Sequence, residues 1–570
     1  MSEKWVKGVD YPEWLTEEGL LTLKSGYLQS GESPSGLYRR VANAAASKLA
    51  QPDLADIFYS YMWKNWLCLS SPVAANMGTA RGLPISCYGS RVPDSVDGIY
   101  DTLHENAVMS KTGGGVGVFW GKVRGKGSSI TGNGISKGVI PWMKVQDSST
   151  IAVSQGETRK GASVAVLPID HPDIHEFLRI RQDKGDPNRK CLNIHHSVTI
   201  PDSFMRKLVE GDKEARDLWS TVLRMRLETG EPYLIFIDNV NNTRPESYVK
   251  NGLFVEMSQL CSEIFLHTDD YHSFVCCLSS VNLARYKEWK DTPFIEHAIY
   301  FLDGVMEEYI QKARNVPALV RAVHFAEKSR ALGLGALGWH SLLQNEGTPF
   351  NSLRASLLNK AIWHHISTQA KAASRKLAER YGEVEWTKGV GVRNTHVLAI
   401  APTVTNAILS ADEHGEPVSQ SIEPWASNVF TQKSAKGNFI RYNPTLKRLL
   451  ATKGADTSET WSSILEQKGS VQHLSVLSVK EKEMFLTAHE IDQLGIIKQA
   501  ADRQKMLDQG QSLNLFLLSD ADPAYVNKLH LEAHKQGLYS LYYVRSRSAI
   551  SGDVASRSGV TSSDCTACEG

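Results

Sequence analysis

The sequence predicts an α/β architecture in which buried parallel strands alternate with amphipathic helices, and three observations carry that prediction. Its 570 residues and 63.1 kDa call for one large α/β core or two to four smaller domains. Short apolar runs recur at 115–119, 164–167, 233–237, 397–401, 513–518 and 538–544, with longer amphipathic stretches between them, the pattern of repeated βα units. No self-similarity recurs at a period of about 20–50 residues, which speaks against a solenoid or propeller.

From the N-terminus, residues 14–69 place Leu20, Leu23, Leu37, Val41, Ala44, Ala45, Leu49, Leu54, Ile57 and Phe58 at roughly helical spacing, predicting a helical entry layer. Residues 70–545 hold the βα units. Residues 546–570 are rich in Ser and Gly and contain no aromatic residue, so they are expected to form a flexible tail. The charge balance, 63 Lys plus Arg against 62 Asp plus Glu, provides no net field for a nucleic-acid backbone or an anionic membrane. Charged residues Glu3, Lys4, Lys7, Asp10 and Glu13 interrupt any secretory apolar core, and no run reaches the roughly 18 apolar residues of a span. Eight cysteines in 570 residues are too few for a disulfide scaffold, so a reducing, cytoplasmic setting is expected.

Those cysteines carry the chemistry. Cys565-Thr-Ala-Cys568 has the spacing of a dithiol that closes and exchanges disulfides. Half a zinc site is the alternative, but no second pair or nearby His supplies the other ligands, and no metal is assigned to the chain. A tethered dithiol needs a partner disulfide in the globule, for which Cys87 and either Cys276 or Cys277 are candidates. Cys261 is followed two residues on by Glu263, so in an extended segment carboxylate and thiol share a face.

Gln259-Leu-Cys-Ser-Glu-Ile together with Cys276-Cys-Leu-Ser-Ser-Val-Asn-Leu resembles the catalytic core of the ribonucleotide reductase large subunit, and the resemblance runs from about Trp14 to the C-terminus. It implies a ten-stranded α/β barrel of two parallel five-stranded halves with Cys261 on an internal finger loop. Reduction of ribonucleotides, diphosphates in particular, to 2′-deoxyribonucleotides is the implied reaction. By the same likeness Cys261 carries a thiyl radical, Glu263 deprotonates the ribose 3′-hydroxyl, and Cys87 with Cys276 forms the reducing pair. Where the family usually has Asn, this chain has Gln259, which keeps the carboxamide on a chain one methylene longer.

Ser70, Ser71 and Ser86 resemble the family's substrate loop, and Lys111-Thr-Gly-Gly-Gly with Gly114 its glycine-rich strand entry. Pro402, Thr403, Thr405 and Asn406 form a candidate phosphate site: a strand at 396–401, a hydroxyl-bearing loop, then a helix starting at Ala407 whose free N–H groups attract anions. An ordinary N-cap fits the spacing as well, and the resemblance favours the substrate reading. Asp94, Arg124, Gln155 and Arg159 resemble the specificity-effector region, which takes a dNTP or ATP, with Gln155–Ser163 as the loop that reports effector identity. The short segment before the entry helices leaves no room for the family's N-terminal ATP cone.

Tyr542-Tyr543 matches the tyrosine pair that relays a radical from a separate ferritin-like, metal-bearing small subunit. The rival within the family is the adenosylcobalamin-dependent branch, which makes its thiyl locally. Thioredoxin or glutaredoxin and a second copy of the chain are the other implied partners. A non-catalytic nucleotide-binding regulator is disfavoured by the intact Cys87, Cys261, Glu263 and Cys276. The Gly333-Leu-Gly-Ala-Leu-Gly338 stretch lacks the acidic ribose ligand of a dinucleotide-binding dehydrogenase and reads as close packing of small residues. His171, His175, His195-His196 and His364-His365 read as satisfied imidazoles.

Overall fold

The computed structural model describes residues 5–155, 159–182, 184–434 and 437–547. Cys565 and Cys568 lie outside them. The predicted helical layer is three helices, α1 (Glu17–Lys24), α2 (Pro34–Lys48) and α3 (Leu54–Trp63). Local chemistry sets where the first two begin: Thr16 and Ser33 hydroxyls each accept from a backbone N–H three residues on, at 3.1 Å, and Pro34 opens α2 without wasting a donor. The small residues Ala42, Ala45 and Ala46 are buried in α2. They let it approach α4 (Phe294–Ala313) so closely that a Cβ on Gly304 would stand 2.7 Å from the Ala45 carbonyl oxygen. Phe58 of α3 meets Phe301 of α4 edge to face, centroids 5.4 Å apart. No helix among the described residues is long and apolar enough to cross a membrane.

Beyond this layer a barrel closes. Strands β1 (Cys87–Arg91), β2 (Gly115–Phe119), β3 (Ser163–Pro168), β4 (His195–Ile200) and β5 (Tyr233–Phe236) pair in that order, all parallel. The second half begins with β6 (Phe274–Asn282) parallel to β7 (Leu332–Leu337). Single parallel bridges Leu334↔Leu398 and Ile400↔Gln511 continue it. It ends with β8 (Leu515–Leu518), the short β9 (Ser540–Leu541) and β10 (Val544–Arg547), β10 lying parallel to β8. The two halves meet antiparallel at both seams, β6 with β1 and β9 with β5. Pairing runs to Arg547, two residues past the boundary at 545 expected from the sequence. Residues between the 397–401 segment and Gln511 also build a satellite with its own core of Leu446, Leu450, Trp461, Ile464 and Phe485, which the sequence did not suggest.

The barrel is filled by the middle of the 253–273 loop, buried throughout from Met257 to Leu266. On β2 the positions facing this loop are glycines while Val116 and Val118 point the other way. A Cβ on Gly117 would stand 2.6 Å from the Ser258 carbonyl and 2.9 Å from the Gln259 Cα, and one on Gly115 would meet Leu260. Gly333 and Gly335 of β7 are used in the same way against Leu278, Cys276 and the 399–400 backbone, so the glycine-rich stretch is a packing device on a strand.

Gly117→Ala should therefore lower stability by about 1–3 kcal/mol in chemical denaturation and speed amide exchange across 256–265, with α4 unaffected. Unchanged exchange in that loop would show that the strand does not hold it.

Candidate active site

Strand register brings the two reductant candidates together. The β6–β1 seam pairs Cys276 with Cys87 directly across the ladder, and the β1–β2 register continues the row to Gly115. Side chains alternate faces along a strand, so Cys276 points inward while the Cys277 thiol turns toward α4 and the Leu302 carbonyl, 3.4 Å away. Both barrel cysteines are thiols and buried. Burial pushes both thiols up, Cys87 well above its ordinary value with Glu263 adding to the effect.

Leu260 packs over Gly115, which sets the loop tip beside this pair. The extended segment expected at Cys261–Glu263 is instead a turn. Ser262 takes φ +62° and its N–H bonds the Gln259 carbonyl at 3.1 Å, because an extended run could not reverse inside the barrel. Cys261 and Glu263 still come together, the carbonyl of one and the carboxyl of the other lying 2.6 and 3.0 Å from the Ser512 hydroxyl, through the turn and not through alternation.

Gln259 does two jobs. Its Oε1 accepts from the Cys261 N–H at 2.9 Å and its Nε2 donates to the Cys87 sulfur at 3.3 Å. Glu263 is fully buried; its Oε2 lies 3.0 Å from the Ser512 hydroxyl oxygen and its Oε1 4.0 Å from the Cys87 sulfur. Burial pushes its carboxyl up to about 7, so it exchanges a proton near neutrality. Ser512 donates to the Cys261 carbonyl at 2.6 Å, a role the sequence did not signal.

The predicted substrate residues ring one end of the barrel. Ser86 and Gly114 precede β1 and β2, and 402–406 follow the segment 397–401. The hydroxyls of Ser70 and Ser86 and the Asn406 Oδ1 are buried without a hydrogen-bond partner, the state of polar groups that a bound polar molecule would satisfy. Ser71 pairs with the Tyr27 hydroxyl at 3.0 Å, and the Thr403 hydroxyl accepts from the Ser421 N–H at 2.8 Å. The helix expected to start at Ala407 spans Val404–Ile408 instead, with Thr403 at its N-cap in the left-handed region, φ +53°. Thr405 and Asn406 thus lie within the helix and not in a loop before it. A cavity of about 710 Å³ lined by Lys371, Arg375, Gln504, Asp508 and Tyr539 opens at the opposite end and holds none of the predicted residues.

Tyr542 and Tyr543 stand at the break between β9 and β10, buried, ring centroids 4.4 Å apart. Burial raises the Tyr542 phenol well above its ordinary range, and the Cys261 sulfur and Tyr543 raise it further. Tyr233 of β5, which sequence reasoning missed, packs on both, at 4.6 and 4.9 Å. Asp94 and Arg124 are ion-paired, Oδ2 to Nε 2.8 Å, beyond the far ends of β1 and β2. Gln155 and Arg159 face each other in a two-residue antiparallel pairing, 154–155 with 159–160, ahead of β3 and so at the substrate end. Among the described residues, the His267, Asp269 and His272 side chains gather within 4.8 Å, away from this cluster; His267 and His272 hydrogen-bond the Asp269 carboxylate at 3.1 and 2.9 Å.

Comparison with known proteins gives a consistent result. A family model described as "Ribonucleotide reductase, barrel domain" matches residues 85–214, 210–389 and 384–544, and one described as "Ribonucleotide reductase, all-alpha domain" matches 13–82. The large subunit of ribonucleoside-diphosphate reductase from Invertebrate iridescent virus 3 is 36% identical, over 97% of this chain and 98% of its own. The Arabidopsis thaliana large subunit is 29% identical, over 93% and 76% respectively. The solved class Id ribonucleotide reductase alpha subunit of Actinobacillus ureae is 41% identical with a TM-score of 0.87, covering 94% of this chain and 98% of that one.

Glu263 yields a stability test with a definite sign. Its native carboxyl holds its proton to about pH 7 against an ordinary value of 4.5, so the native state binds more protons than the unfolded chain between those values. Stability then falls as pH rises through that window. Glu263→Gln should be more stable than the unaltered protein by up to about 3 kcal/mol at pH 8, with the gain vanishing near pH 4; a pH-independent difference in denaturation would refute it.

Proposed function

The chain belongs to the ribonucleotide reductase large subunits, enzymes that reduce ribonucleotides, and from that membership we propose how its residues divide the work. The observation that carries the proposal is the convergence of Cys261, Glu263, Cys87 and Cys276 on one loop tip and one strand seam. Residues 70–547 form the catalytic barrel, 1–69 its entry layer and the residues after 547 a redox tail.

Cys261, as a thiyl, abstracts the 3′-hydrogen of a ribonucleoside diphosphate. Glu263 takes the 3′-hydroxyl proton, a transfer suited to a carboxyl whose affinity is raised to about 7. The 2′-hydroxyl leaves as water with a proton from one thiol of the Cys87/Cys276 dithiol, and the 2′-carbon takes the hydrogen of the other as the pair gives up two electrons and closes as a disulfide; Cys261 then returns the 3′-hydrogen and Glu263 its proton, which restores the thiyl. Thiols raised by burial keep their protons until that step. Ser70, Ser71, Ser86, Gly114, Pro402, Thr403, Thr405 and Asn406 hold the substrate, the unpartnered Ser70, Ser86 and Asn406 atoms supporting this.

Tyr543 and Tyr542 relay the radical to Cys261 from a ferritin-like, metal-bearing small subunit. The adenosylcobalamin-dependent alternative leaves this buried tyrosine pair without a task. Cys565 and Cys568 reopen the Cys87–Cys276 disulfide by exchange and are themselves reduced by thioredoxin or glutaredoxin. A homodimer binds dNTP or ATP near Asp94 and Arg124, and the Gln155–Arg159 loop carries the effector's identity to the substrate base.

Reduction of the four ribonucleotides, assayed with and without a radical-bearing small subunit and with and without adenosylcobalamin, tests this reading. Turnover is expected with the small subunit alone, and turnover with adenosylcobalamin alone would replace the relay by the rival branch. Cys261→Ser should abolish deoxynucleotide formation while leaving nucleotide binding nearly intact, and retained turnover would sink the thiyl mechanism.

Changing Cys565 and Cys568 together to Ser should stop thioredoxin-driven cycling but permit one turnover from prereduced enzyme. Undiminished cycling would remove the tail from the scheme.

A further inference from the structure

The β4–β5 register, Ser197↔Tyr233, sets His195 beside Glu231, both at the substrate end of the barrel. His195 Nδ1 lies 2.6 Å from Glu231 Oε1 and, on the same nitrogen, 3.2 Å from the Tyr543 hydroxyl. The second Glu231 oxygen accepts from the His196 backbone N–H at 3.0 Å and meets His196 Nδ1 at 2.9 Å. Arg181 Nε stands 3.7 Å from that oxygen, and its Nη1 lies 3.5 Å from His195 Nδ1.

Glu231 is as buried as Glu263, yet the two carboxyls are held in opposite states. Burial alone would raise Glu231, but His195, His196 and Arg181 outweigh it and hold the carboxyl well below its ordinary value. An ionised carboxylate therefore stands one imidazole away from Tyr543. The other groups against that ring are the Tyr542 and Tyr233 phenols, both raised by burial, and the Arg545 guanidinium, 4.3 Å from its centre. None of these three is a base at neutral pH.

We propose that His195 and Glu231 form the proton acceptor for Tyr543, taking up its phenolic proton when the residue is oxidised. The proposal rests on the relay reading above and adds the route of the proton. An oxidised phenol is a far stronger acid than a carboxylic acid, so in a buried site the electron leaves Tyr543 only with somewhere for the proton to go.

The step balances within the cluster. One electron passes from Tyr543 to the one-electron oxidant of the partner small subunit. The N–H bond that His195 Nδ1 holds toward Glu231 breaks as an O–H forms on Oε1, 2.6 Å away, and the electron pair it leaves on Nδ1 takes the Tyr543 proton as the phenolic O–H breaks. The products are a neutral tyrosyl radical, a neutral imidazole and a neutral carboxylic acid, and the charge lost at the carboxylate offsets the departed electron. When the electron returns after turnover, the same two protons move back.

The test uses the full chain with its radical-bearing small subunit. His195→Gln keeps a polar group of similar size but cannot pass a proton through one nitrogen, and Glu231→Gln keeps an acceptor for the imidazoles but no base. Each should lower kcat at least tenfold while substrate KM and affinity for the small subunit stay within about twofold. His195→Gly should be equally slow and should regain turnover when imidazole is added. Normal kcat in His195→Gln, with Tyr543→Phe inactive, would overturn the acceptor and leave the relay standing. Normal kcat in Tyr543→Phe would instead overturn the relay. If His195→Gln fails to fold, as judged by circular dichroism and nucleotide binding, Glu231→Gln decides: a slow variant of unchanged KM supports the proposal, and unchanged kcat refutes it.

Discussion

A polar loop threaded through the interior of a barrel must have its backbone satisfied by the barrel itself, since an unpaired buried amide or carbonyl costs as much as a lost hydrogen bond. Nearly every feature of the site follows from meeting that demand. Ser512 and Ser540 donate to the carbonyls of Cys261 and Ser262 at 2.6 and 2.7 Å. Gln509 accepts from the Phe265 N–H at 3.2 Å, and the Gly510 N–H reaches the Glu263 carbonyl at 2.8 Å. Within the loop, Ser258 donates to the Ile264 carbonyl at 2.7 Å. The donors come from both the loop and the second half of the barrel, so the position of Cys261 is set by the closure of the whole sheet.

The same enclosure governs the electrostatics. In so dry a space charge is disfavoured, and the thiols of Cys87 and Cys276, the carboxyl of Glu263 and the phenols of Tyr542 and Tyr543 are all shifted toward their neutral forms. Radical chemistry in such a place moves electrons and protons together, because neither can leave a charge behind. Glu231 is the exception that two histidines and an arginine keep ionised, and it lies at the tyrosine end of the cluster, away from the Cys87–Cys276 seam.

Six of the barrel's strands were legible as apolar runs, at 115–119, 164–167, 233–237, 397–401, 513–518 and 538–544. β1, β4, β6 and β7 were not. β1 reads Cys-Tyr-Gly-Ser-Arg, β4 opens with His-His-Ser, and β7 alternates Leu with Gly. A strand that faces a polar loop carries Cys, His, Ser or Gly on its inner side, so the apolar signal disappears where the site is built. The helix at Val404–Ile408 was misplaced by three residues because Thr403, in the left-handed region, ends the preceding extended segment abruptly.

By itself the sequence determined the chemical inventory: the cysteine spacing, the Cys261–Glu263 proximity, the adjacent tyrosines and a neutral α/β chain able to bury them. Those are properties of neighbours along the chain, which covalent distance alone enforces. Cysteine spacing left Cys276 and Cys277 both open and the family resemblance pointed to Cys276, which strand register turns toward Cys87; the tertiary structure alone decided that Gln259 bridges loop and strand, and that His195, Glu231 and Tyr543 meet. Each of these depends on register between strands far apart in sequence. A one-residue slip would reverse every inward and outward side chain, and only closure of the barrel around its loop selects the register that is observed.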